Sequence, residues 1–136
     1  MTRYVVDAGV VLHLAAEGVE PSAAHSLVAP TLIRSQTLSL LHEAVDRGDL
    51  PADVALERLG RVAKMKMRLL GDAVLRKVAW EVATQLGWAS TYAAEYVALT
   101  RLQADAYITL DADIARQVEG IVPLASIDEL LAQETG

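Results

Sequence analysis

Two aspartates in this 136-residue chain follow short apolar runs that have the composition of buried strands. Asp7 ends the run "RYVVD", Asp111 ends the run "AYITLD", and Asp113 lies two residues further on. In open parallel sheets, ligands bind outside the carboxyl ends of the strands. If the two strands are adjacent, the carboxylates of Asp7 and Asp111 lie within a few ångströms of each other. Their repulsion would then push one of them towards protonation unless a cation lies between them.

Magnesium is the cation that suits such a pair, because it is a hard ion that accepts oxygen ligands and keeps several waters. A bound Mg²⁺ can orient a phosphodiester, activate a water and stabilise the charge on the leaving oxygen. A structural role competes with this interpretation. Helical segments follow both Asp7 and Asp111, and an Asp before a helix caps it by accepting hydrogen bonds from free backbone amides. The pattern alone leaves both roles open.

Strand-like and helical segments alternate along the chain, and this order predicts a parallel sheet covered by helices. Gly18 and Gly87 each follow a helical segment and are predicted to end it. The segment "KMKMRLL" alternates charged and apolar residues and is a candidate edge strand. The segment "IVPL" is a candidate last strand. The chain has no linker, repeat or low-complexity segment, so we expect a single domain over residues 1–136.

Composition excludes several classes of protein. Without cysteine, the chain has no disulfide, no thiol nucleophile and no cysteine-based zinc site. Apolar residues make up 53% of the chain, which is typical of a globular protein. The net charge of −6 does not attract nucleic acid, so any RNA contact needs a local basic patch such as residues 58–68. No signal peptide or membrane span is evident, and we expect a cytoplasmic protein.

Four segments in this order resemble the PIN-domain family, in particular the single-domain VapC-type toxins of bacterial toxin–antitoxin pairs. They are "YVVDAGVVL" (4–12), "VAPTLIRSQTLSLL" (28–41), "STYAAEYVAL" (90–99) and "AYITLDADIA" (106–115). The resemblance covers nearly the whole chain. It implies an α/β fold, namely a PIN-like three-layer α/β/α sandwich around a mainly parallel central sheet. It also implies a cognate antitoxin, an RNA substrate and a homodimer.

The resemblance further implies an Mg²⁺- or Mn²⁺-dependent endoribonuclease with four acids in its site. In the family, one acid follows the first strand, one lies in the helix after the "AP" segment, one in "Y-D-A-x-Y" and one in "T-x-D". Here these positions fall on Asp7, Gln36, Ala93 and Asp111. Two of the four acids are therefore replaced by residues without charge.

Neighbouring acids differ in how well they replace the missing ones. Glu95 lies about 200° around the helix axis from Ala93, so its carboxylate is expected on the opposite face. Glu43 lies about 10 Å along the helix from the Gln36 position, which is too far for substitution. Asp113 is the best spare acid, because it is close to Asp111 in the first turn of the next helix, where an acid is favoured.

Two hypotheses for function follow. In the first, the chain is a metal-dependent endoribonuclease with Asp7, Asp111 and Asp113 as metal ligands and Gln36 as a neutral ligand or orienting group. Its Mg²⁺ or Mn²⁺ would bind weakly without substrate, because few carboxylates are left to offset the dehydration of the cation. In the second, the chain is a catalytically inactive PIN-like domain that acts as a protein- or RNA-binding module.

Overall fold

The computed structural model describes residues 1–132. In that part of the chain, the strands are β1 (Thr2–Val6), β2 (His25–Pro30), β3 (Met67–Leu70) and β4 (Ala106–Ile108). The helices are α1 (Ala8–Glu17), α2 (Leu32–Asp46), α3 (Ala52–Lys64), α4 (Ala73–Leu86), α5 (Tyr92–Gln103), α6 (Ala112–Val118) and α7 (Ile127–Leu131). The single domain expected from the sequence extends to residue 136, and residues 133–136 of it lie outside the described part.

The strands form one parallel sheet in the order β3-β2-β1-β4. β1 is therefore central, and Tyr4 pairs with Leu27 of β2 on one side and with Ala106 of β4 on the other. Helices flank the sheet, and the architecture is the three-layer α/β/α sandwich that the sequence predicted. No helix within residues 1–132 combines the length and the apolar character needed to cross a bilayer.

The central strands are continuously apolar because helices cover both of their faces. Val5 and Val6 are consecutive and point to opposite faces of the sheet, yet both are 0% exposed. Tyr107 and Ile108 of β4 are buried in the same way. These residues belong to one hydrophobic core that also includes side chains of α1, α4 and α5. The two short apolar runs of the sequence thus become β1, an interior strand, and β4, the buried strand that pairs with it.

The strands near the end of the chain are shorter than the sequence predicted. β4 covers only Ala106–Ile108, and the "IVPL" segment contributes a single bridge, between Leu124 and Tyr107. The Pro123 carbonyl accepts a hydrogen bond from the Tyr107 N–H at 2.9 Å, but Pro123 has no N–H of its own to extend the ladder. β3, in contrast, is an edge strand as predicted.

The two tryptophans, which the sequence placed in the core or at a contact surface, differ in their surroundings. Trp80 on α4 is 71% exposed, so it does not belong to the core. Trp88 follows α4, is half-buried and packs against the core. Its indole Nε1–H donates to the Oε1 atom of Gln117 at 2.7 Å. Helical periodicity could not separate these two cases, because Trp88 lies beyond the end of α4 and its burial depends on tertiary packing.

α4 is bounded by two local signals that the sequence made visible. The Asp72 carboxylate accepts a hydrogen bond from the Leu75 N–H at 2.8 Å, and Gly87 ends the helix with φ of 70°. That left-handed conformation strains residues with a Cβ atom. The α4 boundaries are thus fixed by short-range chemistry before any tertiary contact is considered.

We expect Asp72→Ala to lower the free energy of unfolding by about 0.5–2 kcal/mol, because the substitution leaves a helix amide without its acceptor. Urea denaturation followed by circular dichroism measures this loss. Glu81→Ala, on the exposed side of the same helix, is the control and should change the free energy by less than about 0.5 kcal/mol. Equal losses in the two variants would contradict the capping role.

Candidate functional site

A cleft of about 790 Å³ opens at the carboxyl ends of β1 and β4. Asp7, Gln36, Ala93 and Asp111 all line it. These are the four positions at which the family pattern places acids, and they come from the ends of two strands and from α2 and α5. The cleft lies where parallel sheets bind ligands, because the pairing of β1 with β4 brings distant parts of the chain to one edge.

Asp7 is held by hydrogen bonds to both of its carboxylate oxygens. Oδ1 accepts from the Val10 N–H at 3.1 Å, which caps α1. Oδ2 accepts from the Tyr107 hydroxyl at 3.0 Å. The capping role that the sequence left open for Asp7 is therefore confirmed. Its second partner comes from the neighbouring strand β4.

Asp111 also caps the helix that follows it. Its Oδ1 atom accepts from the backbone N–H groups of Asp113 and Ile114 at 3.0 and 3.1 Å. The Asp111 N–H donates to the Thr109 hydroxyl at 3.1 Å, which turns the chain out of β4. The capping role is confirmed here too, and it uses one of the two carboxylate oxygens of Asp111.

Asp113, predicted as the spare acid, does not line the cleft. Its carboxylate forms an ion pair with Arg116, and the two side chains are 75% and 73% exposed. The reason is helical geometry, because residues i and i+3 lie on the same face of α6. Asp113 is therefore close to Asp111 in sequence, but its carboxylate pairs with a surface arginine.

Gln36 and Asp7 are held by two stacked tyrosines. The Tyr96 hydroxyl donates to Gln36 Oε1, as the Tyr107 hydroxyl donates to Asp7. The centroids of the two rings lie 6.3 Å apart with an angle of 18° between the planes, and the side chains are 2% and 1% exposed. The sequence assigned these residues a packing role, which is confirmed, but it missed their hydroxyls. The composition was the available signal for these hydroxyl bonds, because the chain has four Tyr and no Phe.

The remaining acids near the cleft fall into two groups. Glu95 does not line the cleft, as the helical spacing from Ala93 predicted, and burial raises its pKa. Glu43 does line it, about two turns of α2 beyond Gln36. Ala93, in the first turn of α5, places a methyl group where the family pattern has a carboxylate.

The walls of the cleft combine negative charge with apolar surface. Three carboxylates line it, and no Lys, Arg or His of residues 1–132 does. The apolar lining includes Leu40, Trp88, Tyr92, Leu110 and Ile114. Leu40, Tyr92 and Leu110 are 43%, 60% and 55% exposed, so they form an apolar rim open to solvent. The cleft therefore suits apolar groups and cations better than phosphates.

The donor set does not fit a resident Mg²⁺ or Mn²⁺ ion. Within residues 1–132, no group of three or more His, Cys, Asp or Glu side chains is arranged to hold a metal. Asp7 and Gln36 already accept hydrogen bonds from tyrosines, and Asp111 uses one oxygen as a cap. Mg²⁺ gives up its waters reluctantly, so two carboxylates engaged in this way provide little compensation for its dehydration.

Comparisons with known proteins identify the fold and nothing further. No protein-family model matches the chain, and no curated protein matches it. The chain is similar in structure to PAE2754 from Pyrobaculum aerophilum, which is known from a crystal structure. The two share 20% sequence identity with a TM-score of 0.72, over 96% of this chain and 93% of that one. The similarity establishes that the α/β/α fold of this chain is also found in a solved structure.

Tyr96 and Tyr107 make the stability of the folded protein dependent on pH in the alkaline range. Burial, and then the Asp7 carboxylate, raise the pKa of both Tyr96 and Tyr107 above the ordinary value of 10.0. Because the folded pKa exceeds the unfolded one, the stabilising contribution is complete below about pH 10 and is lost as the pH rises towards the folded pKa.

We expect the midpoint of urea denaturation to fall as the pH rises above about 10, and Tyr107→Phe to weaken this dependence. The variant should also lose about 1.5–3 kcal/mol at pH 7, because a hydrogen bond to a carboxylate is removed. Tyr92→Phe is the matched control, since Tyr92 is 60% exposed. If both variants have the same alkaline profile as the wild type, the hydroxyl bonds do not hold the cleft.

Proposed function

We propose that this chain is a PIN-like domain of the VapC-type toxin lineage that acts by binding a protein partner, with a cleft that does not sustain efficient RNA hydrolysis. One observation carries the proposal. The two polar groups at the first two family positions, Asp7 and Gln36, are hydrogen-bonded to buried tyrosine hydroxyls. The protein itself satisfies these groups, so the cleft does not need a cation to be stable.

The charge of the cleft supports a protein partner over RNA. Asp7, Glu43 and Asp111 face the space that a phosphodiester would occupy, with no cationic lining residue among those described. Nucleic-acid binding depends on cationic side chains that neutralise phosphates. The exposed rim of Leu40, Tyr92 and Leu110 instead suits apolar side chains of a protein segment. The cognate antitoxin that the sequence resemblance implies is a candidate for this partner.

A metal-dependent endoribonuclease is the second candidate function. One observation favours it, namely that Asp7 and Asp111 line the same cleft at the ends of adjacent strands. Mg²⁺ binds in some sites through one or two carboxylates together with substrate phosphates. Under this candidate, Asp7 and Asp111 would hold the ion and Gln36 would orient its surroundings.

Metal binding and RNA cleavage, measured for the wild type and for a variant with both missing acids restored, test the proposal. We expect the wild type to bind Mn²⁺ and Mg²⁺ weakly in calorimetry and to leave a mixed RNA pool intact. We expect the Gln36→Glu and Ala93→Asp double variant to bind Mn²⁺ at least tenfold more tightly, a change of about 1.4 kcal/mol. The variant should fold, because residue 93 lies in the first turn of α5, where an acid is favoured.

The matched control is the double variant Ala52→Asp and Gln85→Glu, which makes the same two changes at exposed positions of α3 and α4. It should bind Mn²⁺ like the wild type. Cleavage by the wild type that Asp7→Asn abolishes would overturn the proposal in favour of the endoribonuclease. Equal gains in Mn²⁺ affinity in both double variants would mean that added charge, and not the cleft, binds the ion.

A further inference from the structure

β3 is the outermost strand on the side of the sheet away from the cleft. Two strands separate it from β4, and none of its residues lines the cleft. Within residues 1–132, β2 is the one strand that pairs with it. Exposed sheet edges are templates for pairing with another chain, so the outer side of β3 is a surface that the cleft does not explain.

The parallel register identifies which backbone groups of β3 face outward. The Leu70 carbonyl accepts a hydrogen bond from the Thr31 N–H at 3.2 Å, so Leu70 directs its backbone groups towards β2. Along a strand, successive residues direct these groups to alternate sides. Arg68 therefore also bonds towards β2, whereas Met67 and Leu69 direct an N–H and a carbonyl each to the open side.

The open side of β3 is cationic in a protein of net charge −6. Lys64, Lys66 and Arg68 are exposed, and none of them takes part in an ion pair with another described residue. Arg61 differs, because its guanidinium binds the Ala15 carbonyl and the Glu57 carboxylate. The three free cations lie within five consecutive residues. We define the β3 edge as these three side chains together with the backbone of Met67 and Leu69.

We infer that the β3 edge binds an extended acidic peptide segment of a protein partner, which adds to the sheet as a fifth strand. Main-chain groups of Met67 and Leu69 would provide the pairing, as in β-strand addition generally. Lys66 and Arg68 would select acidic side chains. The same cations repel a second copy of this edge, so they prevent self-pairing and still admit a strand of opposite charge.

The backbone favours a peptide over RNA as the polyanion. Met67 and Leu69 offer donors and acceptors alternately, which is the pattern that an extended peptide matches. Phosphate oxygens only accept hydrogen bonds, so an RNA bound through its phosphates would leave the outward carbonyls without partners from those phosphates. The inference is independent of the function proposed for the cleft, because no residue is shared between the two surfaces.

The test uses the wild-type chain and a fluorescent, end-capped peptide of alternating Glu and Val. We expect the peptide of alternating Glu and Val to bind at least tenfold more tightly than a peptide of alternating Lys and Val of the same length. It should also bind more tightly than an oligouridylate of equal charge. By NMR, the Met67 and Leu69 amides should gain protection from hydrogen exchange. The Arg68 and Leu70 amides, already bonded to β2, should change little. Tighter binding of the oligouridylate, or binding without protection, would overturn the inference.

Two further measurements separate strand pairing from charge attraction. The Glu and Val peptide should lose binding when N-methylated on one set of alternate amides and keep it when methylated on the other. The Lys66→Glu and Arg68→Glu double variant should weaken binding at least tenfold. Its matched control, Lys77→Glu and Arg101→Glu, changes the same charges at exposed positions of α4 and α5 and should leave binding within twofold. Equal losses in the two variants, or in the two methylated peptides, would contradict strand addition.

Discussion

The pairing of β1 with β2 on one side and with β4 on the other is the constraint on which the rest of the molecule depends. It places β1 between two neighbours and brings strand ends that are far apart in sequence to one edge. A shift of β4 by one residue would exchange Tyr107 and Ile108 between the faces of the sheet. The hydrogen bond between Tyr107 and Asp7 is thus a result of register as much as of side-chain chemistry.

In the cleft, hydrogen bonds from other groups of the protein satisfy the polar side chains. A partly buried carboxylate needs hydrogen-bond donors or an opposite charge, and Asp7 receives one backbone amide and one hydroxyl. The Tyr96 hydroxyl likewise donates a hydrogen bond to Gln36. Burial raises the pKa of both phenols, so they stay protonated donors throughout the physiological pH range. Neutral hydroxyl groups therefore help to fix the polar side chains of the cleft.

The sequence predicted what depends on local chemistry and missed what depends on distant packing. The apolar run before Asp7, the caps of α1 and α6, the stop at Gly87 and the edge strand β3 follow from neighbouring residues. The exposure of Trp80, the short β4 and the tyrosine hydroxyl bonds do not. Each of these depends on which residues, up to 100 positions away, meet a given face.

The order of strands in the sheet has a consequence for biosynthesis. β1 is synthesised about 100 residues before its second neighbour, β4, which comes from residues 106–108. Until then a nascent chain exposes one edge of β1, which is a template for aggregation. The cleft needs residues that follow both β1 and β4, so it is complete only when β4 has joined the sheet. A chain that presents the cleft to a partner has thereby already protected its central strand.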